Sequence, residues 1–141
     1  DVVLDIGAAT GYSSAIFCGL VSTIIALEED KKLIEQAQTT CEDLEVCNIV
    51  NVKGKLKDGC AQHAPYDLIF FGGAVADIPE NIVSQLSPKG KMILIHKPAG
   101  QVMGQVKIIE NLGEKGFSSY TLFEAAANYL PGFEPQSAFV F

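Results

Sequence analysis

Asp5, Gly7, Gly11 and Glu28 are the residues of this chain whose types and spacing carry the most chemistry. The segment Asp5-Ile6-Gly7-Ala8-Ala9-Thr10-Gly11-Tyr12 follows the apolar run Val2-Val3-Leu4 directly. A strand there delivers an acidic residue, and the small residues after it let backbone amides approach a ligand closely. A helix opening at Tyr12 would turn its positive dipole end toward the same point. The spacing separates two nucleotide cofactors. Dinucleotide binding asks for G-x-G-x-x-G, whose third glycine lets the helix pack closely and whose amides cradle a pyrophosphate. Read from Gly7, the chain offers Gly7, Ala9 and Tyr12 at those places, so the second and third glycines are absent. Gly7-x-Ala9-x-Gly11 instead suits S-adenosylmethionine, which has no pyrophosphate and needs room for its methionyl and ribose parts beside the strand end. That cofactor also needs an acidic residue at the end of the next strand, to accept hydrogen bonds from both ribose hydroxyls. Glu28 stands there, with Glu29 beside it. The cofactor contacts expected of the turn are Asp5, Gly7, Ala8, Ala9, Gly11 and Tyr12.

These residues need strands and helices to place them, and the pattern along the chain supplies both. Strand and helix patterns alternate with short connections, the signature of βαβ units feeding a mostly parallel sheet. Strands are expected at residues 1–6, 22–27 (ending in Glu28), 47–52, 67–71 and 91–95, with helices at 12–20, 30–44 and 78–86. In the second of these helices Leu33, Ile34, Ala37 and Cys41 recur at helical spacing, and Asp30 is available as N-cap. Asp67-Leu68-Ile69-Phe70-Phe71 is the continuous apolar run of a strand buried on both faces, and Gly72-Gly73 after it would admit a close ligand. Gly72 joins the candidate cofactor contacts for that reason. Beyond Gly100 the pattern changes to extended segments at 105–110 and 118–123 joined through Gly113 to Gly116, a hairpin. The fold class expected is therefore α/β and Rossmann-like: a mostly parallel sheet with helices on both faces and an antiparallel C-terminal hairpin, in one domain spanning 1–141.

Composition bounds the function. Seventeen acidic residues against 10 basic ones, all lysine, give a net charge of −7. Nucleic acid is not an expected partner, since a phosphate backbone calls for a basic stripe and Lys53, Lys55 and Lys57 form the only local cluster. No apolar run approaches the roughly 20 residues of a membrane helix, so no membrane association is expected. Cys18, Cys41, Cys47 and Cys60 lack CxxC spacing, which favours reduced thiols and a cytoplasmic setting over disulfides or zinc. His63 reads as a surface histidine and His96 as a strand-end polar residue, neither with a metal-ligand partner at usable spacing.

Several stretches together resemble the protein-L-isoaspartate O-methyltransferases. They are the Asp5 to Tyr12 turn, Leu27-Glu28, Ala64-Pro65-Tyr66-Asp67-Leu68-Ile69, Ile78-Pro79, and Gln85-Leu86-Ser87-Pro88-Lys89-Gly90. The ending, Leu122-Phe123-Glu124-Ala125, Leu130-Pro131-Gly132-Phe133 and Phe139-Val140-Phe141, is similar to a bacterial branch of that family. The Ala-Pro-Tyr-Asp and Leu-x-Pro-x-Gly pair is far more specific than the glycine turn. The resemblance covers essentially the whole chain but only the C-terminal two thirds of a typical member. It implies a class I methyltransferase fold and methyl transfer from S-adenosylmethionine to the α-carboxylate of L-isoaspartyl residues in damaged proteins. The ester so formed collapses to a succinimide, which is a repair step. A carboxylate is already nucleophilic at neutral pH, so holding it in line with the sulfonium methyl in a dry site would supply most of the acceleration.

Two departures from the family pattern bear on the site. The hydroxyl residue and substrate-contacting segment of family members precede the glycine turn and so fall ahead of Asp1, which leaves the catalytic residues unknown. Where the family carries Gly-Asp-Gly with its acid near the adenine, this chain carries Gly54-Lys55-Leu56. A charged lysine donates only and cannot accept the adenine amino hydrogen bond, so Lys55 and Leu56 are candidate contacts of altered character. Three readings stay open on the residues: an isoaspartyl methyltransferase, an S-adenosylmethionine-dependent methyltransferase with another acceptor, and a non-catalytic cofactor-binding remnant. The oligomeric state is not legible.

Overall fold

Val2-Val3-Leu4 and Leu68-Ile69-Phe70-Phe71 carry apolar side chains on successive positions, as strands covered on both faces do, and they lie side by side. The computed structural model describes residues 2–7, 21–44 and 48–136. It places the two runs on β1 (Val2–Ile6) and β4 (Tyr66–Val75), paired in parallel from Val3↔Leu68 to Ile6↔Phe71. Around this pair are β2 (Thr23–Glu28), β3 (Ile49–Lys53), β5 (Leu86–His96), β6 (Gly104–Asn111) and β7 (Phe117–Ala125). They form one seven-stranded sheet of order β3-β2-β1-β4-β5-β6-β7. Pairings from β3 through to β5 are parallel, whereas β5·β6 and β6·β7 are antiparallel. The α/β class and the closing hairpin agree with the sequence expectation. The helix expected at 12–20 lies outside the described residues, as do the start of the expected third strand at Cys47 and the terminal Phe139-Val140-Phe141.

The core follows from the strand pattern. Leu4, Ile6, Leu27, Tyr66, Ile69, Met92 and Leu94 are fully buried in one cluster, and each large apolar side chain so buried contributes about 1.5–3 kcal/mol. Helix α1 (Lys31–Asp43) starts where expected, with Asp30 Oδ1 accepting from the Lys32 amide at 2.8 Å, and it buries Ala37 and Cys41.

Two expectations are corrected. The helix foreseen at 78–86 is a single turn, α2 (Glu80–Val83), because Leu86 is already paired with Tyr66 in the sheet. Gly72-Gly73 do not follow β4 but lie within it: Phe70 faces Ile93 while Ala74 faces Ile95, so the glycines occupy a bulge. Bulges of this kind bend a strand end and re-aim what it presents.

The most specific sequence motifs knit the opposite end of the sheet. Tyr66 is fully buried and its hydroxyl donates to the Cys60 carbonyl. Asp67 accepts from the Val2 amide at 2.9 Å and from Ser87 Oγ at 3.1 Å. The Val2 amide leads in holding the Asp67 carboxyl below its ordinary range. Gln85 accepts from the Cys60 amide and donates to the Asp58 carbonyl, both at 3.1 Å. Tyr66→Phe should lower stability by only about 1 kcal/mol, because the Cys60 carbonyl keeps the His63 amide at 3.4 Å. Urea denaturation of the two forms checks this.

Candidate functional site

In the order β3-β2-β1-β4-β5 the chain winds outward one way from β1 and the other way from β4, and such a reversal opens a crevice at the carboxyl strand ends. A cavity of about 540 Å³ lies there, lined among the described residues by Gly7, Glu28, Glu29, Asp30, Leu33, Leu56, Gly72, Leu130 and Pro131. Small-molecule sites span roughly 300–1,000 Å³. The strand ladder brings its parts together: the Gly7 amide donates to the Leu27 carbonyl at 3.0 Å, continuing the β1·β2 pairing, and the Gly54 amide donates to the Glu28 carbonyl at 3.1 Å.

Glu28 ends β2 with 7% of its surface exposed. Its Oε2 accepts from the amides of Glu29 at 2.7 Å and Asp30 at 3.2 Å, so the side chain is fixed before any ligand arrives. Glu29 Oε1 accepts from the Leu56 amide at 2.8 Å. That bond ties the loop after β3 to the end of β2 and seats Leu56 in the wall. Gly72 sits against Gly7: a Cβ on Gly72 would stand 2.8 Å from the Gly7 carbonyl oxygen.

Of the residues singled out in the sequence, Gly7, Glu28, Glu29, Leu56 and Gly72 meet at this cavity. Asp5 is fully buried in β1, facing Ala26 and Phe70 in register, and is not among the lining residues. Lys55 is exposed and does not line the cavity either. Ala8, Ala9, Gly11 and Tyr12 lie outside the described residues. Leu33, Leu130 and Pro131 were not foreseen as site residues. Leu33 was read as part of the apolar face of α1, and its place at the first turn of the helix is what turns it to the cavity. Leu130 and Pro131 belong to a segment without periodicity that runs beside the end of β4. There the Ala74 amide donates to Asn128, the Leu130 amide to Ala74 and the Ala76 amide to Phe133, at 2.9–3.0 Å.

His96, at the end of β5, is held in one tautomer. The Ala76 carbonyl can only accept, so Nε2 carries the proton across 3.1 Å, and the Lys107 ammonium can only donate, so Nδ1 accepts across 3.0 Å. Burial first, and then the Lys107 charge, push the His96 pKa below its ordinary value of 6.5. A depressed pKa means that the unfolded chain binds the proton more tightly. The stability His96 contributes is therefore present above about pH 6.5 and lost as pH falls through the folded value. Urea denaturation below and above that pH should show the loss in the wild type and a flatter profile in His96→Gln.

Known proteins share this fold. The family model of protein-L-isoaspartate(D-aspartate) O-methyltransferase matches residues 1–125. A protein-L-isoaspartate O-methyltransferase of Pseudomonas fluorescens is 32% identical over 131 residues, covering 93% of this chain and 60% of the relative. The chain thus spans about 60% of the length of such curated relatives. A solved protein-L-isoaspartate O-methyltransferase superposes with a TM-score of 0.86 at 24% identity, over 95% of this chain and 43% of that one. A structure from Plasmodium falciparum, described as an enzyme of the same kind in complex with S-adenosyl-L-homocysteine, superposes with a TM-score of 0.72 at 19% identity, over 89% and 63%. The superpositions establish the class I methyltransferase fold. On the match of the family model and the identity to its relatives, the chain belongs to the protein-L-isoaspartate(D-aspartate) O-methyltransferase family.

Proposed function

We propose that this chain binds S-adenosylmethionine in the cavity at the β1/β4 reversal and serves methyl transfer to the α-carboxylate of L-isoaspartyl residues in damaged proteins. The observation that carries the reading is the meeting of Gly7 and Glu28, at the ends of β1 and β2, with Gly72 in the bulge of β4 around one cavity, in a member of this family. The residues present fit the cofactor. Glu28 offers a fixed carboxylate acceptor to ribose hydroxyls, and Leu33, Leu56, Leu130 and Pro131 offer apolar walls to the adenine and thioether parts. Gly7 and Gly72 let the strand backbones and Leu130 close up around the cavity, since a Cβ on Gly7 would meet Leu130 and one on Gly72 the Gly7 carbonyl. When bound, the cofactor supplies an electrophilic sulfonium methyl, which passes to a carboxylate oxygen and leaves a methyl ester and S-adenosylhomocysteine.

The chain's own part is positional. Glu28 fixes the nucleoside end, the glycine backbones set its depth, and the leucine walls keep water from the reacting end. The isoaspartyl carboxylate arrives ionised, so no side chain here needs to remove a proton. The buried free thiols of Cys41 and Cys60 support a reducing, cytoplasmic setting. Titration calorimetry with S-adenosylmethionine on the folded protein at its natural length tests cofactor binding, and absence of heat at millimolar ligand would sink it. Methyl transfer to an isoaspartyl peptide but not to its aspartyl counterpart is expected, and equal transfer to both would remove the proposed acceptor.

A further inference from the structure

The wall made by Leu130 and Pro131 stands over the backbone of the glycine strand ends. Leu130 Cδ2 lies 2.7 Å from where a Cβ on Gly7 would be, and Leu130 Cγ lies 2.8 Å from where one on Gly73 would be. Its side chain is therefore nested between the end of β1 and the bulge of β4, and any slip of this segment changes the cavity directly. Backbone bonds of the Ala74 amide to Asn128, the Leu130 amide to Ala74 and the Ala76 amide to Phe133, with the edge-on packing of Phe133 against Phe71, run the segment along the end of β4 from Asn128 to Phe133. Side-chain contacts on the residues either side of Asn128 come from Lys97, just past β5.

Lys97 adds a side-chain clasp to those backbone bonds. Its amide donates to the Val75 carbonyl at 2.9 Å, fastening it to the end of β4. Its ammonium donates to the Ala127 carbonyl at 2.6 Å and lies 4.4 Å from the centre of the Tyr129 ring. Its carbonyl accepts from the Tyr129 hydroxyl at 2.6 Å. Charge-assisted bonds are roughly twice as strong as neutral ones, and a cation over an aromatic face adds to them when partly desolvated. Tyr129 is the residue next to Leu130, so the clasp fixes the wall at one residue's distance.

We propose that Lys97 is a positioning residue for the S-adenosylmethionine cavity, holding the Leu130-Pro131 wall over Gly7 and Gly73 through its clasp with Ala127 and Tyr129. This rests on the cofactor reading above. Lys97 does not line the cavity, and it acts through Leu130. Without the clasp the wall samples positions withdrawn from the glycine backbones, and each bound ligand must re-form it.

The test compares wild type, Lys97→Met, Lys97→Arg, Leu130→Ala and Lys97→Met with Leu130→Ala, in the protein at its natural length. S-Adenosylmethionine and S-adenosylhomocysteine serve as titrants in calorimetry. Lys97→Met should raise Kd by about tenfold with unchanged stoichiometry, and Lys97→Arg should restore most of it. The double variant should bind about as Leu130→Ala alone, since the clasp has no wall left to place. In the ligand-free protein, Lys97→Met should also speed hydrogen exchange at the Leu130 amide by about tenfold. Unchanged Kd in Lys97→Met, or a fall in stoichiometry at constant Kd, overturns the positioning role while leaving cofactor binding intact. A folded wild type that binds neither titrant overturns the cofactor reading and this proposal with it.

Discussion

Glu28→Ala is expected to weaken S-adenosylmethionine binding by about 1.5–3 kcal/mol, or roughly ten- to 150-fold in Kd. The magnitude follows from what a carboxylate does at the end of β2. Two ribose hydroxyls need acceptors in a site from which water is largely displaced, and bonds to an ionised acceptor are the strong kind. Alanine also removes the acceptor of the Glu29 and Asp30 amides, so part of the loss would come from loosening the turn that presents Glu29 and opens α1. Glu28→Gln separates the two effects. Its amide oxygen can still take those backbone donors, while its NH2 group cannot accept from a second hydroxyl. Thermal unfolding without ligand should therefore show Glu28→Gln close to wild type and Glu28→Ala lower by about 1 kcal/mol. Calorimetry should show both variants binding weakly. A Glu28→Gln protein that binds as tightly as wild type would remove the ribose assignment.

Much of this arrangement can be read from the residues, and the parts that cannot share a physical reason. Glu28 was legible because a strand pattern ended on it and the glycine turn gave it a purpose. Asp30 was legible because capping is local, a matter of one side chain and an amide two positions on. Position in a bulge is not local. Nothing within Phe70-Phe71-Gly72-Gly73-Ala74 says that β5 will skip past it, because the shift is set by the pairing of Phe70 with Ile93 and Ala74 with Ile95. The same holds for Leu130, whose role depends on two glycines distant in sequence.

Lys55 teaches a different lesson. In the sequence it fell on a position of interest and promised a changed adenine contact. In the fold Glu29 takes the Leu56 amide and the lysine side chain is left to solvent. The motifs that most sharply indicated the family, Ala64-Pro65-Tyr66-Asp67 and Gln85 to Gly90, sit at the amino ends of β4 and β5. They hold the two strands together at the end away from the cavity. The residues that mark the family and those that line the cavity are thus different ones. A motif's power to identify a family comes from the rarity of its packing solution, and that solution need not touch the ligand.

Gly72→Ala should cost about 3 kcal/mol in folding stability, at the upper end of what one added methyl does to a packed interior. A Cβ at this position would lie 2.8 Å from the Gly7 carbonyl oxygen and 3.5 Å from that of Ile6. Both are backbone atoms, so no side chain can swing aside to make room. Relief requires β1 and β4 to separate at their carboxyl ends, where the ladder between them has just ended at Ile6↔Phe71. Gly73→Ala offers the instructive contrast. Its nearest neighbours are Leu130 side-chain atoms at 2.8 and 2.9 Å, with the Asn128 carbonyl oxygen at 3.0 Å, so the leucine can yield part of the space. The stability cost should be smaller, about 1–2 kcal/mol, with the displaced leucine pushed into the cavity. Urea denaturation and calorimetry on the pair should therefore rank in opposite orders: Gly72→Ala the less stable, and Gly73→Ala the one whose cofactor affinity falls more than its stability explains. Gly72→Ala as stable as wild type would mean that β1 and β4 part easily at that end, and the close contact between Gly72 and the Gly7 carbonyl would then not set the depth of the cavity.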